Sequence, residues 1–256
     1  MGADTLQLLG FTGAYASRYV LAFVRVLAAL SLNPLLGSAR VPVLGRIGLG
    51  LFITFVLFPP GPDATPVSVG PAEIAGELLI GALAGFSVAL VFAAVQFAAS
   101  LIGINAGFSI GQTLDPHADL GAGTLEQFFS AFALLVFVQM NGHHIFLAGL
   151  HDLFEVVPVA TVPLVPGTAE HLAEVSGALF AAALKISFPV LAALLLADLG
   201  LAVLARVAPQ MNLFAVGLPA KMAVALAALA IALPVMLPRI VALFRAVPDT
   251  MLLLAR

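Results

Sequence analysis

The stretch Gly103–Gly123 reads GINAGFSIGQTLDPHADLGAG and lies between two long apolar runs. Gly103, Gly107 and Gly111 recur every four residues, so on an α-helix they would form one face without side chains. Asp115-Pro116 is expected to end this helix, because proline disfavours the α conformation at the residue before it. A segment that breaks at membrane depth is tolerated where protein or water surrounds it. The stretch is therefore predicted to be a functional loop.

The composition around this stretch is that of a membrane protein. Of the 256 residues, 62% are hydrophobic and 9% are charged, whereas a soluble domain has about 25% charged residues. Long apolar runs predict membrane-spanning helices, and the alternating ten-residue segments of a β-barrel are not seen. The predicted fold is an all-α polytopic membrane protein with kinks and hairpins. Its six apolar stretches are residues 6–34, 47–60, 74–101, 128–150, 175–205 and 213–237.

The distribution of ionisable residues excludes several functions. The ten basic residues are all outside positions 47–184, where ten of the thirteen acids lie. Nucleic-acid binding needs clustered Lys and Arg and is not expected. The chain has no cysteine, which excludes disulfides and thiol nucleophiles. No nucleophile elbow, phosphate loop or pair of catalytic carboxylates is recognisable, so we expect no enzymatic activity and no cofactor.

Histidines at 143, 144 and 151 are the only group that suggests a metal. A zinc site on a helix normally has two histidines four residues apart and a further firm ligand, and this spacing is absent. No metal site is therefore predicted. Asn141-Gly142, just before the pair, is a turn or helix-end signal.

Arg25, Lys185 and Asp198 are among the charged residues inside apolar stretches, where an ionisable group is by default a functional hypothesis. Arg25 is expected to face protein or water. Lys185 and Asp198 are thirteen residues apart, or about 220° around a helix, so they should not pair with each other. The prediction for Arg25, Lys185 and Asp198 is contact with neighbouring elements or other subunits. No midplane ion site can be assembled from them.

The third apolar stretch carries two further patterns. Glu73 and Glu77 lie one turn apart at its start, where acidic side chains complement the helix dipole, and both are expected to cap the helix. Gly81 and Gly85 form a GxxxG pattern, which predicts close packing against another helix.

Basic residues around the last stretch conflict with the positive-inside rule. Arg206 and Lys221 precede most of it, and Arg239 and Arg245 follow it, so one crossing cannot leave all four on the same side. The stretch is either a hairpin bent at Pro219 or Pro234, or the rule does not hold for this chain.

Four segments together resemble the FliR family of flagellar export-gate proteins in order and spacing. They are NPLLGSARVPVLGRIGLGL (33–51), SLIGINAGFSIGQTLDP (100–116), MNGHHIFLAGLHDLFEVVP (140–158) and ARVAPQMNLFAVGLPAK (205–221). The family is homologous to the SctT proteins of virulence type III secretion systems. The resemblance covers nearly the whole chain.

This resemblance implies a single FliR-like domain over residues 1–256, with a FliP-like half (about 1–170) joined to a FliQ-like half (about 171–256). It implies assembly with FliP-like and FliQ-like subunits into a core with a central channel. Unfolded flagellar proteins would cross the bacterial inner membrane there, at the flagellar basal body. FlhB-like and FlhA-like subunits and membrane lipid are the other implied partners.

The resemblance also implies that residues 106–123 form a plug in the channel. Phe108, Ile110 and Leu114 match its apolar positions, and Asp115-Pro116 matches the family's Asp-Pro. Gly107 and Gly111 lie in the same segment and are predicted to belong to the plug. Asn105 and Ala106 depart from the family's common Gln-Met, which leaves the seal contacts open.

Two other functions remain open at the level of sequence. One is an SctT-type subunit of a virulence system. The other, from a different class, is a multipass transporter with a broken-helix ion site, using Asn105 and Asp115 as ligands. A transporter would purify alone or as a homo-oligomer, whereas a gate subunit would co-purify with different chains.

Overall fold

The computed structural model describes residues 13–37, 41–59, 67–108, 123–161, 168–210 and 212–255. They form helices and no strand, which confirms the predicted all-α class. The helices are α1 (Gly13–Leu32), α2 (Val43–Leu57), α3 (Pro71–Ala106), α4 (Thr124–Gln139), α5 (Gly142–Val156), α6 (Thr168–Val207), α7 (Leu213–Arg245) and α8 (Val247–Leu254).

Four segments of the described chain are long and apolar enough to cross a membrane, and the bent pair α4 and α5 would make a fifth. The four lie in α1, α3, α6 and the continuous α7–α8 region. With 36 and 40 residues, α3 and α6 are about 54 and 60 Å long, whereas the hydrocarbon layer is about 30 Å thick. α2, with 15 residues, is only about 23 Å long.

Helices α3 and α4 begin with the same Gly-x-x-Glu arrangement. At the start of α3 the Glu73 carboxylate accepts hydrogen bonds from the Gly70 N–H (3.1 Å) and the Ser68 hydroxyl (2.9 Å). At the start of α4 the Glu126 carboxylate accepts one from the Gly123 N–H (3.1 Å). This is the carboxylate half of a capping box. Glu73 therefore has the capping position expected from the sequence.

The apolar stretch 128–150 is two helices rather than one. Between α4 and α5, Asn141 adopts the left-handed conformation with φ 57° and ψ 38°. Asparagine tolerates this conformation better than most residues. The Asn-Gly turn signal therefore predicts the helix boundary correctly, whereas the uninterrupted apolar run suggests a single helix.

The last stretch is not a hairpin. α7 runs through Pro219, Pro234 and Pro238 as one helix, and α6 likewise contains Pro189. A proline removes one backbone donor, but in apolar surroundings every other backbone group still needs a partner within the helix. Continuing the helix therefore leaves fewer unsatisfied groups than a turn would, and the alternative of a hairpin bent at Pro219 or Pro234 is wrong.

The chain divides into two compact units. The first contains residues 1–90, 141–175 and 245–256. In this unit Gly81 and Gly85 of α3 lie against α1: a Cβ at Gly81 would overlap the Arg25 carbonyl oxygen, and one at Gly85 would overlap that of Ala29. The GxxxG pattern marks where the two backbones approach most closely. In the same unit α8 packs against α5 at Gly149. A Cβ added to Gly149 would lie 3.2 Å from Pro248.

The second unit contains residues 91–140 and 176–244. The buried rings of Phe92, Phe137 and Phe244 contact one another at centroid distances of 5.1–5.8 Å. Within this unit α6 and α7 form an antiparallel pair, in which Asp198 of α6 meets Lys221 near the start of α7. Lys185, further back along α6, meets Arg239 near the end of α7.

Candidate functional site

The predicted functional loop is entered through the C-terminus of α3, which ends at Ala106. Gly107 has φ 89°, its N–H donates to the Ile104 carbonyl (3.2 Å), and the Phe108 N–H donates to the Gly103 carbonyl (2.9 Å). This pair of bonds is a Schellman motif with glycine at the left-handed position. It satisfies two carbonyls that the helix end would otherwise leave open.

The helix thus stops nine residues before Asp115, not at Asp115-Pro116 as expected from the sequence. The reason is local: Gly107 adopts a positive φ without the penalty that a Cβ brings. Gly107 is therefore a helix terminator rather than part of a continuous glycine face, and Gly103 is buried in the last full turns of α3. Ile110, Gly111, Leu114, Asp115 and Pro116 lie outside the described residues.

An apolar pocket of about 240 Å³ lies beside this helix end, within the second unit. It is lined by Phe108, Thr124, Leu125, Phe128, Leu226 and Leu229. Phe108 is the first of the apolar side chains assigned to the predicted plug, and Thr124 is the residue directly after the stretch Gly103–Gly123. The pocket therefore lies where the predicted plug segment begins and ends. The pocket lining offers no charged group, so it suits apolar contact rather than ion binding.

The described polar groups do not assemble an ion site. The Asn105 side-chain N–H₂ donates to the Leu101 carbonyl of its own helix turn (2.8 Å). Asp115 lies outside the described residues. Across the described ranges, no three His, Cys, Asp or Glu residues are arranged to hold a metal ion. His151 lies 3.6 Å from Asp152 in an exposed pair. The transporter alternative gains no support from this geometry.

A buried ion pair is the most polar feature of the first unit. The Arg25 and Glu77 side chains have no solvent exposure, and Arg25 Nε lies 2.6 Å from Glu77 Oε2. A second guanidinium nitrogen donates to Glu77 Oε1 at 3.2 Å, and the third donates to the Val157 carbonyl at 2.7 Å. The guanidinium also lies 4.7 Å from the centroid of the Phe154 ring. This is a bidentate arrangement with additional partners, as a buried charge requires.

The carboxylate of this pair also holds a turn of the backbone. Ala160 has φ 70°, unusual for a residue with a Cβ, and its N–H donates to Glu77 Oε1 at 2.7 Å. Arg25 and Glu77 together therefore tie α1, α3 and the turn after α5 to one another. The network resembles a structural clamp, because both side chains are fully enclosed by protein.

Two sequence predictions change here. Glu77 is expected from the sequence to cap α3, but it lies one turn further in and neutralises Arg25, a partner 52 residues earlier in the chain. Arg25 does face protein, as expected, but its fully buried head group bonds within this chain. Arg25 is therefore assigned to an internal contact rather than to a subunit contact.

Lys185 and Asp198 do not pair with each other, as predicted. Asp198 forms an ion pair with Lys221 across the α6–α7 pair (2.8 Å). The Lys185 side chain is exposed, while its backbone carbonyl accepts a hydrogen bond from the Arg239 guanidinium. This role of Arg239 is not predictable from the sequence, because nothing in its local pattern indicates which carbonyl it reaches.

Comparison with known proteins agrees with the sequence resemblance. Residues 16–247 match the model of the family described as bacterial export proteins, family 1. The flagellar biosynthetic protein FliR of Pectobacterium carotovorum subsp. carotovorum is 32% identical over 238 residues, 92% of this chain and 91% of that protein. The proteins of the same name from Escherichia coli (strain K12) and Bacillus subtilis (strain 168) are 31% and 34% identical, over 88% and 80% of this chain and 87% and 82% of their own lengths.

The family model covers most of the chain, and the described residues form helices, several of them long and apolar enough to cross a membrane. The chain belongs to the FliR family of bacterial export proteins.

Proposed function

We propose that this protein is a membrane-embedded subunit of the flagellar type III export gate in the bacterial inner membrane. It would act with FliP-like and FliQ-like subunits, next to FlhB-like and FlhA-like subunits, to let unfolded flagellar proteins cross. The observation that carries this proposal is the family match over residues 16–247. The relatives quoted above are all named for flagellar biosynthesis, which favours the flagellar branch over a virulence system.

The surface of α6 supports assembly with other chains. Only 11% of its apolar segment is buried within the described protein. The exposed side chains include Phe180, Leu184, Phe188, Leu195, Leu196 and Leu199. At about 60 Å, α6 is also about twice as long as the hydrocarbon layer is thick. The part of this apolar helix outside the lipid would need protein to cover it.

The division into a FliP-like half and a FliQ-like half remains part of the proposal. Its support is that α6 begins at Thr168 and forms, with α7, an antiparallel pair. A boundary near residue 170 would separate this pair from α1–α5. The compact units interleave along the chain and do not bear on ancestry.

We further propose that residues 106–123 plug the channel. The support is the Schellman end at Gly107, which releases the chain from α3, and the apolar pocket beside Phe108. Apolar side chains such as Phe108, Ile110 and Leu114 would seal a pore by excluding water. Glycines at 107 and 111 would let the segment move aside for a passing chain. Gating requires no covalent chemistry, and none is assigned to this protein.

Genetic removal tests the export role. An in-frame deletion of the gene should abolish secretion of flagellar proteins into the medium, and a plasmid copy should restore it. Quantitative mass spectrometry of the culture medium would measure both. Normal secretion of flagellar proteins in the deletion strain would contradict the flagellar assignment, and selective loss of virulence effectors would favour the SctT-type alternative.

A conductance measurement tests the plug separately. Removing residues 106–120 should raise ion leakage through the inner membrane while some export continues. A matched deletion of residues 162–166, which the plug does not involve, should leave the membrane tight. Unchanged leakage after the first deletion would count against a sealing role, even if the protein proves to be an export subunit.

A further inference from the structure

Lys185 is an exposed cation in the middle of an apolar helix. It lies eleven residues after Glu174 and thirteen residues before Asp198, or about 17 Å and 20 Å along a straight helix. Its neighbours Leu184 and Phe188 are exposed as well. The nearest charged residues on either side are therefore further along the helix than a lysine side chain extends. An ammonium group facing lipid there would be costly.

A second cation, Arg239, contacts the backbone of Lys185, at a carbonyl that Pro189 leaves without a helix partner. Pro189 has no N–H, so the carbonyl of Lys185, four residues earlier, loses its partner within the helix. The Arg239 guanidinium of α7 donates to this carbonyl instead. The Arg239 side chain is nevertheless exposed. A guanidinium has five N–H donors, so most of its donors remain for another group.

The two cations have no counter-charge in the part of the chain that the structure describes. Asp198, the acid that follows Lys185 along α6, is bound to Lys221. No described carboxylate forms an ion pair with Lys185 or Arg239, and the rim around them on α7 is apolar, with Val235 and Leu237 exposed. A guanidinium bound to the Lys185 carbonyl and the ammonium of Lys185 itself, both exposed in an apolar surface, are compatible with burial only if an anion meets them.

We propose that Lys185 and Arg239 bind a carboxylate side chain, Asp or Glu, on an apolar helix of another subunit. This inference rests on the proposed function, since it requires that the chain assembles with other membrane subunits. The apolar rim would pack against the partner helix, and the two cations would neutralise its acid. A lipid phosphate is the other anion that a membrane offers, but the exposed apolar side chains of Leu184 and Phe188 beside Lys185 suit an apolar partner helix rather than a polar headgroup, which favours a protein carboxylate. Such a pair would fix the register of the two helices as well as their affinity.

The test is charge reversal in the assembled complex. Tagged wild type, Lys185→Glu and Lys185→Arg are purified from membranes in mild detergent, and the co-purifying subunits are quantified by mass spectrometry. Because a buried carboxylate would face a like charge, we expect Lys185→Glu to weaken association by roughly a hundredfold. Lys185→Arg should retain the complex. Arg206→Glu, near the end of the same helix, is the matched control and should have little effect. Membrane abundance and far-ultraviolet circular dichroism establish that each variant is folded.

Rescue then identifies the partner acid. In the Lys185→Glu background, each Asp or Glu in the apolar segments of the co-purifying subunits is changed in turn to Lys. Recovery of the complex by one of these changes supports the proposal. Normal assembly of Lys185→Glu overturns it, as does the absence of any rescuing change. Loss of bound anionic lipid from Lys185→Glu without loss of subunits would assign the cations to a headgroup instead. A wild-type chain that purifies without other subunits would refute the proposed function itself.

Discussion

Removing the buried carboxylate of Glu77 should destabilise this protein more than most single substitutions. In Glu77→Gln the guanidinium of Arg25 stays charged and fully buried, with the ionic bond at 2.6 Å lost. Breaking one side of a buried ion pair costs about 3–5 kcal/mol. Arg25→Met should cost a similar amount, because it leaves the carboxylate without its counter-ion and the Val157 carbonyl without its donor.

The double variant Arg25→Met/Glu77→Gln shows whether the stability lost in each single variant comes from the same ion pair. Independent effects would add to about 6–10 kcal/mol, whereas a shared ion pair limits the double variant to no more than about 5 kcal/mol. The amide oxygen that Glu77→Gln introduces could still accept the hydrogen bond from the Ala160 N–H, so that part of the network should survive. The measurement is the free energy of unfolding in mixed maltoside–SDS micelles, followed by circular dichroism.

Glu155→Gln is the matched control, because Glu155 is exposed on α5 and exposed substitutions usually change stability by less than about 0.5 kcal/mol. Fully additive single effects, or a Glu77→Gln variant as stable as this control, would refute the view that the pair holds the first unit together.

Five further substitutions test local geometry by thermal unfolding of the purified protein. Gly81→Ala should destabilise the protein by about 1–3 kcal/mol, because the new Cβ meets the α1 backbone. Its control, Gly177→Ala, has open space around it and should stabilise the protein by up to about 1 kcal/mol. Equal effects of the two substitutions would contradict the close approach of α3 to α1. Ala160→Gly should stabilise by roughly 1 kcal/mol by relieving φ 70°, while Ala148→Gly in the exposed part of α5 should destabilise by about as much. Gly107→Ala should cost about 1–2 kcal/mol because the residue has φ 89°, and a neutral result would argue against the Schellman end of α3.

Much of the fold could be predicted because it follows from composition. Runs of apolar residues in lipid can satisfy their backbone groups most simply as helices, so the all-α membrane class was predictable. Glycines four residues apart at 81 and 85 indicated a close helix contact without naming the partner. The burial of Arg25 was predictable for a related reason, since a charge in an apolar run needs protein around it.

The errors arose where one local rule competes with another. Asp115-Pro116 is a strong stop signal, yet Gly107 ends the helix earlier because its left-handed conformation closes two backbone bonds. Prolines at 219 and 234 suggest a hairpin, but losing one donor costs less in apolar surroundings than opening a turn. Glu77 resembles a cap in the sequence because its partner lies 52 residues away, and no local pattern records such a contact.

Above all, this chain is expected to work as one subunit of a heteromeric export gate. Native mass spectrometry of the tagged chain, extracted from its own host's membranes in mild detergent, provides the decisive test. We expect a complex that contains this chain together with at least two different apolar membrane subunits, in fixed proportion. Recovery of the chain only as a monomer or as a homo-oligomer, under conditions where the other subunits are present in the membrane, would show that this expectation is wrong.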